Sequence, residues 1–273
     1  MPRHQKDQPV AIVTGAGTGI GEATARALQR EGYVVFGTYR SLPARKLTGI
    51  DYVVCDVTSD DAVDAAVRTV LAKAGRIDLL VNNAGVGLVG AAEESSLQQA
   101  KAIFDVNLFG VIRMTKAVLP LMRQQRSGRI VNISSVLGLI PSPFSALYAA
   151  SKHALEGYSE SLDHEVRSSG IRITLVEPAY TRTAFESNAL TADQKNKHYE
   201  AARSNAEAVL RAVMTKADPP EVVADMVVAA AKAAAPRLRY TAGSTARTVS
   251  LLRRFVPASA FDKSLRKQLQ MPA

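Results

Sequence analysis

Six short apolar runs punctuate the chain: Val10–Val13, Tyr33–Thr38, Tyr52–Cys55, Ile77–Val81, Arg129–Ser134 and Ile171–Val176. A strand wetted on one face alternates apolar and polar residues, whereas a strand covered on both faces reads as a nearly continuous Val/Ile/Leu run. These runs are of the second kind. Helix-length stretches follow them at Glu22–Glu31, at about 60–74, at about 96–124 (ending near Pro120) and from the region of Tyr148 to about Ser168. Sixfold β–α alternation predicts an α/β fold with a parallel sheet between two layers of helices. Right-handed crossovers make it doubly wound, with its ligand crevice outside the carboxyl ends of the strands. At 273 residues the chain fits one such domain. The expected organisation is a domain over 9–243 that includes a small helical lid at about 180–216, then a basic extension over 244–273.

The first strand runs into Thr14-Gly15-Ala16-Gly17-Thr18-Gly19-Ile20-Gly21 and then a helix. That order presents unsatisfied backbone N–H groups and the positive end of a helix dipole, a phosphate site. Glycines are required because a Cβ would block the tight turn and the close approach of a pyrophosphate. The spacing is GxxxGxG rather than GxGxxG, and its placement marks a Rossmann-like dinucleotide site. A site for NAD normally carries Asp or Glu at the end of the second strand, about 20 residues on, for the ribose 2′-hydroxyl. This chain has Thr38-Tyr39-Arg40-Ser41 there and no acid until Asp51. A guanidinium binds a 2′-phosphate with paired, charge-assisted hydrogen bonds. Arg40 is therefore the expected clamp, with Ser41 and Thr18 as neutral donors, and NADP the expected cofactor. Asp56, Asn83-Ala84-Gly85, Ser134-Ser135 and Pro178 also follow strands, so all these residues fall on one edge of the sheet.

The chemistry is expected between Arg129 and Lys152. A strand there gives way to Ser134-Ser135, a bend with Pro141 and Pro143, and a helix bearing Tyr148 and Lys152. Residues four apart share a helix face. A tyrosine of pKa ~10 is a poor proton-transfer group at neutral pH, and a nearby ammonium favours its phenolate. Other chemistries find less support. Cys55 is the only cysteine, and His4, His153, His164 and His198 lack metal-site spacing, so no metal is expected. No run of about 18 apolar residues and no signal-peptide pattern occurs, which makes a reducing, cytoplasmic location the expectation. The net charge is +9, but eight basic residues against one acid lie between Arg237 and Lys267. Without basic-aromatic interleaving or a groove-reading element, this tail does not predict nucleic-acid binding.

Taken together, TGAGTGIG at 14–21, NNAG at 82–85, Asn107, Ser135 thirteen residues before Tyr148, and YAASK at 148–152 resemble the short-chain dehydrogenase/reductase family over residues 9 to about 183. The resemblance implies hydride transfer between a nicotinamide and a carbonyl or secondary alcohol. It assigns the general acid/base to Tyr148, the lowering of its pKa and a hold on the nicotinamide ribose to Lys152, polarisation of the carbonyl to Ser135 and a water-mediated proton relay to Asn107. On the cofactor side it implies Gly15, Gly17, Thr18, Gly19, Ile20 and Gly21 in the turn, Asp56 and Val57 at the adenine, Asn83, Ala84 and Gly85, and Pro178 and Thr183 near the carboxamide. One departure is Pro178-Ala179 where the family usually has Pro-Gly. With its basic extension the chain most resembles the 17β-hydroxysteroid-dehydrogenase-like and retinol-dehydrogenase-like branch. Many relatives form dimers or tetramers through the helices carrying Asn107 and Tyr148, and Val111, Met114, Val118 and Leu162 are expected to be their outer apolar positions.

Apolar crevice walls are expected from Val86-Gly87-Leu88, Leu137, Leu139, Ile140, Phe144 and Phe185, which implies a lipophilic substrate closed off by the lid. The tail reads as two amphipathic helices. One stripe is Leu251, Leu252, Phe255 and Val256; the other is Phe261, Leu265 and Leu269. Packing on the domain or a sister subunit is the expected fate of both stripes, and a weak contact with an anionic membrane surface is the alternative. For function, the rival of an enzyme is a catalytically silent dinucleotide-binding regulator, and turnover of any carbonyl separates the two.

Overall fold

The structure is a computed structural model that describes residues 8–40 and 47–268. In chain order the elements are β1 (Val10–Val13), α1 (Gly19–Arg30), β2 (Val34–Tyr39), β3 (Ile50–Val54), α2 (Asp60–Ala74), β4 (Leu79–Asn82), β5 (Leu88–Val89), α3 (Leu97–Phe104) and α4 (Gly110–Gln125). There follow β6 (Gly128–Ile133), α5 (Ala146–Val166), β7 (Ile171–Pro178), β8 (Leu190–Thr191), α6 (Glu200–Met214), α7 (Pro220–Lys232), β9 (Arg239–Ala242), α8 (Ser244–Phe255) and α9 (Ala258–Gln268). Seven strands form one parallel sheet in the order β3-β2-β1-β4-β6-β7-β9. The order reverses at β1, which pairs with β2 on one side and β4 on the other, and a crevice opens at such a switch point.

The unbroken apolar strands are explained by the two layers they separate. On one face Ile12, Phe36, Leu80 and Ile130 meet Val63 and Val67 of α2, Met114, Val118 and Met122 of α4 and Leu162 of α5. On the other, Val13, Val35, Val81 and Val131 meet Ala25 and Leu28 of α1 and Val223 and Val227 of α7. Local signals set the ends of the covering helices. Ser59 caps α2 by accepting a bond from the Ala62 N–H at 3.3 Å, Asp60 and Asp61 complement the dipole, and left-handed Gly75 (φ 75°) stops the helix.

Several sequence expectations need correction. A seventh strand, β9, escaped notice because it is a four-residue edge strand whose half-exposed Arg239 and Thr241 break the apolar run. Its pairing with β7 extends that strand from the expected Val176 to Pro178. The expected helix over 96–124 is divided by a π-helical turn at Asp105–Phe109, and α4 passes through Pro120, on the exposed side, to Gln125. Val111, Met114, Val118 and Leu162 are not outer positions; all four are buried in the domain core. The helical period identifies an apolar stripe without saying what covers it, and here the sheet does. The large exposed apolar residues on α3 and the π turn are Leu97 and Phe109. In the tail, Leu251, Leu252 and Phe255 of α8 are exposed rather than packed, whereas Phe261 and Leu265 of α9 are half-buried. Leu269 lies outside the described residues. Among the described residues no helix is long and apolar enough to cross a membrane.

Candidate active site

The glycine turn leaves β1 and enters α1 in a conformation only glycines allow. Gly15 and Gly19 have φ of 64° and 55°. A Cβ on Gly21 would stand 2.2 Å from the Gly15 carbonyl oxygen and 2.5 Å from Asn83 Nδ2, and one on Gly17 would meet the Tyr39 ring at 2.8 Å. The turn is sewn to the loop after β4. Asn83 Nδ2 donates to the carbonyls of Thr14 (2.9 Å) and Gly15 (3.2 Å), while Thr14 Oγ1 accepts from the N–H groups of Asn83 (2.9 Å) and Ala84 (3.0 Å). Thr14 had not been singled out from the sequence. Thr18, the N-cap of α1, makes no side-chain capping bond. Its hydroxyl is not spent on capping the helix. A cradle with no room for side chains and free donors at a helix N-terminus suits a dinucleotide pyrophosphate.

Toward the β3 edge of the sheet, Arg40 is exposed just after β2. Ser41 lies outside the described residues. Asp56, after β3, accepts bonds at Oδ1 from the Thr58 N–H (2.9 Å) and hydroxyl (2.7 Å). These bonds, with Arg40 and Arg113 nearby, hold its carboxyl below the usual carboxylate range. Val57 is buried against Gly110, where a Cβ would come within 2.8 Å of Val57 Cγ2. Beneath Gly17, Tyr39 donates to the Ala16 carbonyl at 3.2 Å and stacks on Tyr52 with centroids 4.8 Å apart.

At the other end, α5 places Tyr148 and Lys152 beside Ser135. Lys152 is buried and donates to the Ile133 carbonyl at 2.9 Å, with its ammonium 5.8 Å from the centroid of the Tyr148 ring. Burial pushes it down to about 8, partly opposed by Glu156. Burial pushes the Tyr148 phenol up, a hydrogen bond from Ser135 lowers it, and Glu186 raises it. Burial, rather than the lowering expected from Lys152, sets the direction of the Tyr148 shift. Ser135 Oγ also accepts from the Leu137 N–H at 3.1 Å. Asn107, buried in the π turn, accepts from the Val86 N–H and donates to the Val86 carbonyl, both at 2.9 Å, and donates to Ser151 Oγ at 3.1 Å. Ser151, also missed from the sequence, in turn donates to the Tyr148 carbonyl at 2.7 Å. Gly85 lies between Asn107 and Lys152, where a Cβ would be 3.3 Å from Asn107 Oδ1 and 3.9 Å from Lys152 Nζ.

β7 ends at Pro178, and Thr183 reaches back until its methyl carbon is 3.0 Å from the position of a Gly19 Cβ. Phe185 then covers Tyr148, with ring centroids 5.8 Å apart. Of the expected wall residues, Leu88, Ile140 and Phe144 are buried. The glycine turn, Asn83–Gly85, Asn107, Ser135, Tyr148, Lys152 and Thr183 thus gather along the carboxyl edge of the sheet, with Arg40 and Asp56 toward the β2–β3 end.

The family model described as short chain dehydrogenase matches residues 9–194. The chain belongs to the short-chain dehydrogenase/reductase family. It is an oxidoreductase whose fold binds a nicotinamide cofactor. An uncharacterised oxidoreductase of Escherichia coli, YbbO, is 35% identical over 262 residues, 94% of each chain. A 3-ketodihydrosphingosine reductase of Bacteroides thetaiotaomicron is 41% identical over 179 residues, 66% of each. A solved short-chain dehydrogenase of Streptomyces avermitilis is 32% identical and superposes with a TM-score of 0.78, covering 97% of this chain and 95% of that one.

Proposed function

We propose that the protein is an NADP(H)-dependent oxidoreductase acting on a lipophilic carbonyl compound or the corresponding secondary alcohol. The observation that carries this is the Ser135–Tyr148–Lys152 group, with Ser135 and Lys152 buried and Tyr148 half-buried, backed by Asn107, at one end of a glycine-lined cradle. The cofactor would be held by Gly15, Gly17, Thr18, Gly19, Ile20 and Gly21 at the pyrophosphate, by Asp56 and Val57 at the adenine, by Asn83, Ala84 and Gly85 along the crevice, and by Tyr148, Lys152, Pro178 and Thr183 at the nicotinamide end. Arg40, with Ser41 and Thr18, favours a 2′-phosphate. When bound, the nicotinamide supplies the hydride chemistry.

The chain's own residues supply position and a proton. Ser135 Oγ stands beside the phenol and can direct a hydrogen bond at the oxygen on which negative charge develops. Tyr148 holds the proton at its phenolic oxygen in reduction and receives it in oxidation. Lys152 keeps a positive charge within reach of that oxygen, and Asn107 fixes the Val86 backbone and, through Ser151, the turn of α5 that carries Tyr148. Phe185, packed over Tyr148, excludes water and offers an apolar surface to the substrate.

A screen of ketones, aldehydes and secondary alcohols with both cofactors, read by absorbance of the reduced nicotinamide, tests the reading. Resemblance to a protein named 3-ketodihydrosphingosine reductase supports including that compound. Turnover with lipophilic members and NADPH is expected, reduced ~10²–10⁴-fold in Tyr148→Phe. No turnover of any carbonyl, with NADPH still bound, would favour the silent regulator. A Tyr148→Phe variant above a tenth of wild-type rate would sink the assignment of the acid/base.

Three further proposals concern surroundings. The domain is 9–243, with a lid over about 180–216 and an appended tail, in a cytoplasmic protein. A homodimer or homotetramer is proposed through the α3–α4 face, where Leu97 and Phe109 are exposed, and a monomer mass by light scattering at micromolar concentration would contradict it. A weak contact with anionic membrane surfaces is proposed through α8, whose Leu251, Leu252 and Phe255 face outward beside Arg247 and Arg254. Co-sedimentation with vesicles that did not depend on anionic lipid would dispose of it.

A further inference from the structure

Behind Lys152, on the side away from Tyr148, lies a cluster of buried charge that the proposed reaction does not use. Glu156 follows Lys152 by one turn of α5 and is 5% exposed; Glu177, the penultimate residue of β7, is fully buried. Arg239, the first residue of β9, reaches between them. Its Nε is 3.0 Å from Glu156 Oε2 and 3.4 Å from Glu177 Oε1, and its Nη2 is 2.9 Å from Oε2 of Glu160 at the surface. Glu156 also has the Ser134 hydroxyl beside it, while Glu177 has no hydrogen-bond donor among the described residues other than the long ion pair to Arg239. Gly138 closes the pocket: a Cβ there would lie 2.9 Å from Glu156 Cγ, 2.9 Å from Ser134 Oγ and 3.2 Å from Glu156 Oε1.

A buried carboxylate is costly unless a cation compensates it, and an unpaired one takes up a proton instead. Here three carboxylates share one guanidinium and the Lys152 ammonium. Two adjacent buried acids cannot both ionise cheaply, so the pair retains one proton. Geometry divides the roles. Burial raises the Glu156 carboxyl too, but the Ser134 hydroxyl, Arg239 at 3.0 Å and Lys152 one turn away all oppose that rise, so of the two acids it is Glu156 that carries the charge. Glu177, longer-bonded and fully buried, carries the proton; burial and the charge of Glu156 push its carboxyl up to about 8. Lys152 faces Tyr148 and Glu156 on α5, and Glu156 faces Lys152 and Glu160 on α5, Glu177 on β7, Arg239 on β9 and the Ser134 hydroxyl after β6.

We infer that Glu156, clamped by Arg239 against Glu177, is a positioning residue that keeps the Lys152 ammonium charged and seated on the Ile133 carbonyl. The physical reason is that Lys152 loses its hydration on burial and would shed its proton near neutrality were no carboxylate behind it. The inference rests on the function proposed above only for its kinetic consequence, because the charge of Lys152 can be read without turnover.

The test is a ¹³C NMR titration of the intact protein labelled at lysine Cε, with the Lys152 signal assigned by its loss in Lys152→Met. The wild-type midpoint is expected near 8. Glu156→Gln should lower it by about one pH unit, the scale of a close charge pair, and Glu156→Asp should restore part of the shift. Arg239→Gln, at a half-exposed position, provides a second variant should Glu156→Gln fail to fold. Deprived of its cation, Glu156 takes up a proton and the midpoint falls in the same direction. An unchanged midpoint in either folded variant overturns the inference. In kinetics, the alkaline limb of kcat/KM for carbonyl reduction should move to lower pH with the midpoint, while NADPH affinity at pH 6.5 stays the same; a uniform loss of kcat without movement of the limb also overturns it. If the wild type reduces no carbonyl at all, the functional reading fails and the NMR midpoints still decide this one.

Discussion

Two glycine-to-alanine substitutions, both inside helices, should move stability in opposite directions. Gly157 lies on the exposed side of α5 with nothing within 4 Å of a new Cβ. Alanine there brings only its better helix propensity and lower unfolded-state entropy, a gain of up to about 1 kcal/mol. Gly21 sits in the first turn of α1 and has the same propensity to gain, but its Cβ would stand 2.2 Å from the Gly15 carbonyl oxygen and 2.5 Å from Asn83 Nδ2. Relief requires the start of α1 to move by about 1 Å, since carbon contacts settle beyond roughly 3.5 Å. Overpacking of this kind costs about 1–3 kcal/mol, and displacing Asn83 from the Gly15 carbonyl removes a hydrogen bond worth about 1 kcal/mol. The clash outweighs the propensity, leaving Gly21→Ala less stable by about 1–3 kcal/mol. Thermal unfolding reads both variants at roughly 2–4 °C per kcal/mol: Gly157→Ala up, Gly21→Ala down. The same movement misplaces the amides that face the pyrophosphate, and misplacement by about 1 Å can cost on the order of 10²-fold in activity. Should Gly21→Ala gain stability as Gly157→Ala does, or bind NADPH as the wild type does, the close packing of turn, helix and Asn83 would be refuted.

Cofactor choice is tested at Arg40, where Arg40→Asp should reverse or abolish a preference for NADPH over NADH, at a cost to NADPH of about 1.5–3 kcal/mol; an unchanged ratio of kcat/KM values would refute the clamp. Glu177 gives a pH test of stability. Its folded-state carboxyl lies near 8, above the ordinary 4.5, so its contribution is fully present below about 4.5 and is lost as pH rises through 8. Glu177→Gln escapes that loss. Its melting temperature relative to wild type should therefore climb between pH 5 and pH 9, by an amount corresponding to a few kcal/mol at most, and a difference that stays flat with pH would contradict the buried, protonated state.

What was legible in the sequence follows from which forces act locally. Val10–Val13 and Ile77–Val81 announce buried parallel strands because helices cover both their faces, and the glycines of 15–21 announce a phosphate cradle because side chains would occupy it. The edge strand Arg239–Ala242 was hidden because one of its sides has no sheet neighbour and its alternate residues are half-exposed. The π turn around Asn107 was hidden because one extra residue scarcely disturbs a 3.6-residue period over so short a span. Val111, Met114, Val118 and Leu162 were correctly apolar but assigned to the wrong neighbour, since periodicity is silent about tertiary partners. The Glu156–Glu177–Arg239 cluster joins residues as many as 83 positions apart, and only the crossing of α5 over β7 and β9 brings them together.

The segment after β7 is fastened at more than one point. At its base the Arg182 N–H donates to the Asp218 carbonyl at 2.8 Å, and the Asp218 N–H to the Tyr180 carbonyl at 3.1 Å. Further on, β8 pairs with β5, the Gln194 N–H donates to the Glu94 carbonyl at 2.9 Å, Ser96 binds Asp193, and Glu94 is ion-paired with Arg203 of α6. A hinged door swinging from β7 would have to tear these fastenings. The stretch 183–189, slung between the two seams and carrying Phe185, is instead a narrow shutter over Tyr148. Phe185 is therefore held over Tyr148 by a short span anchored at both ends rather than by a freely hinged arm.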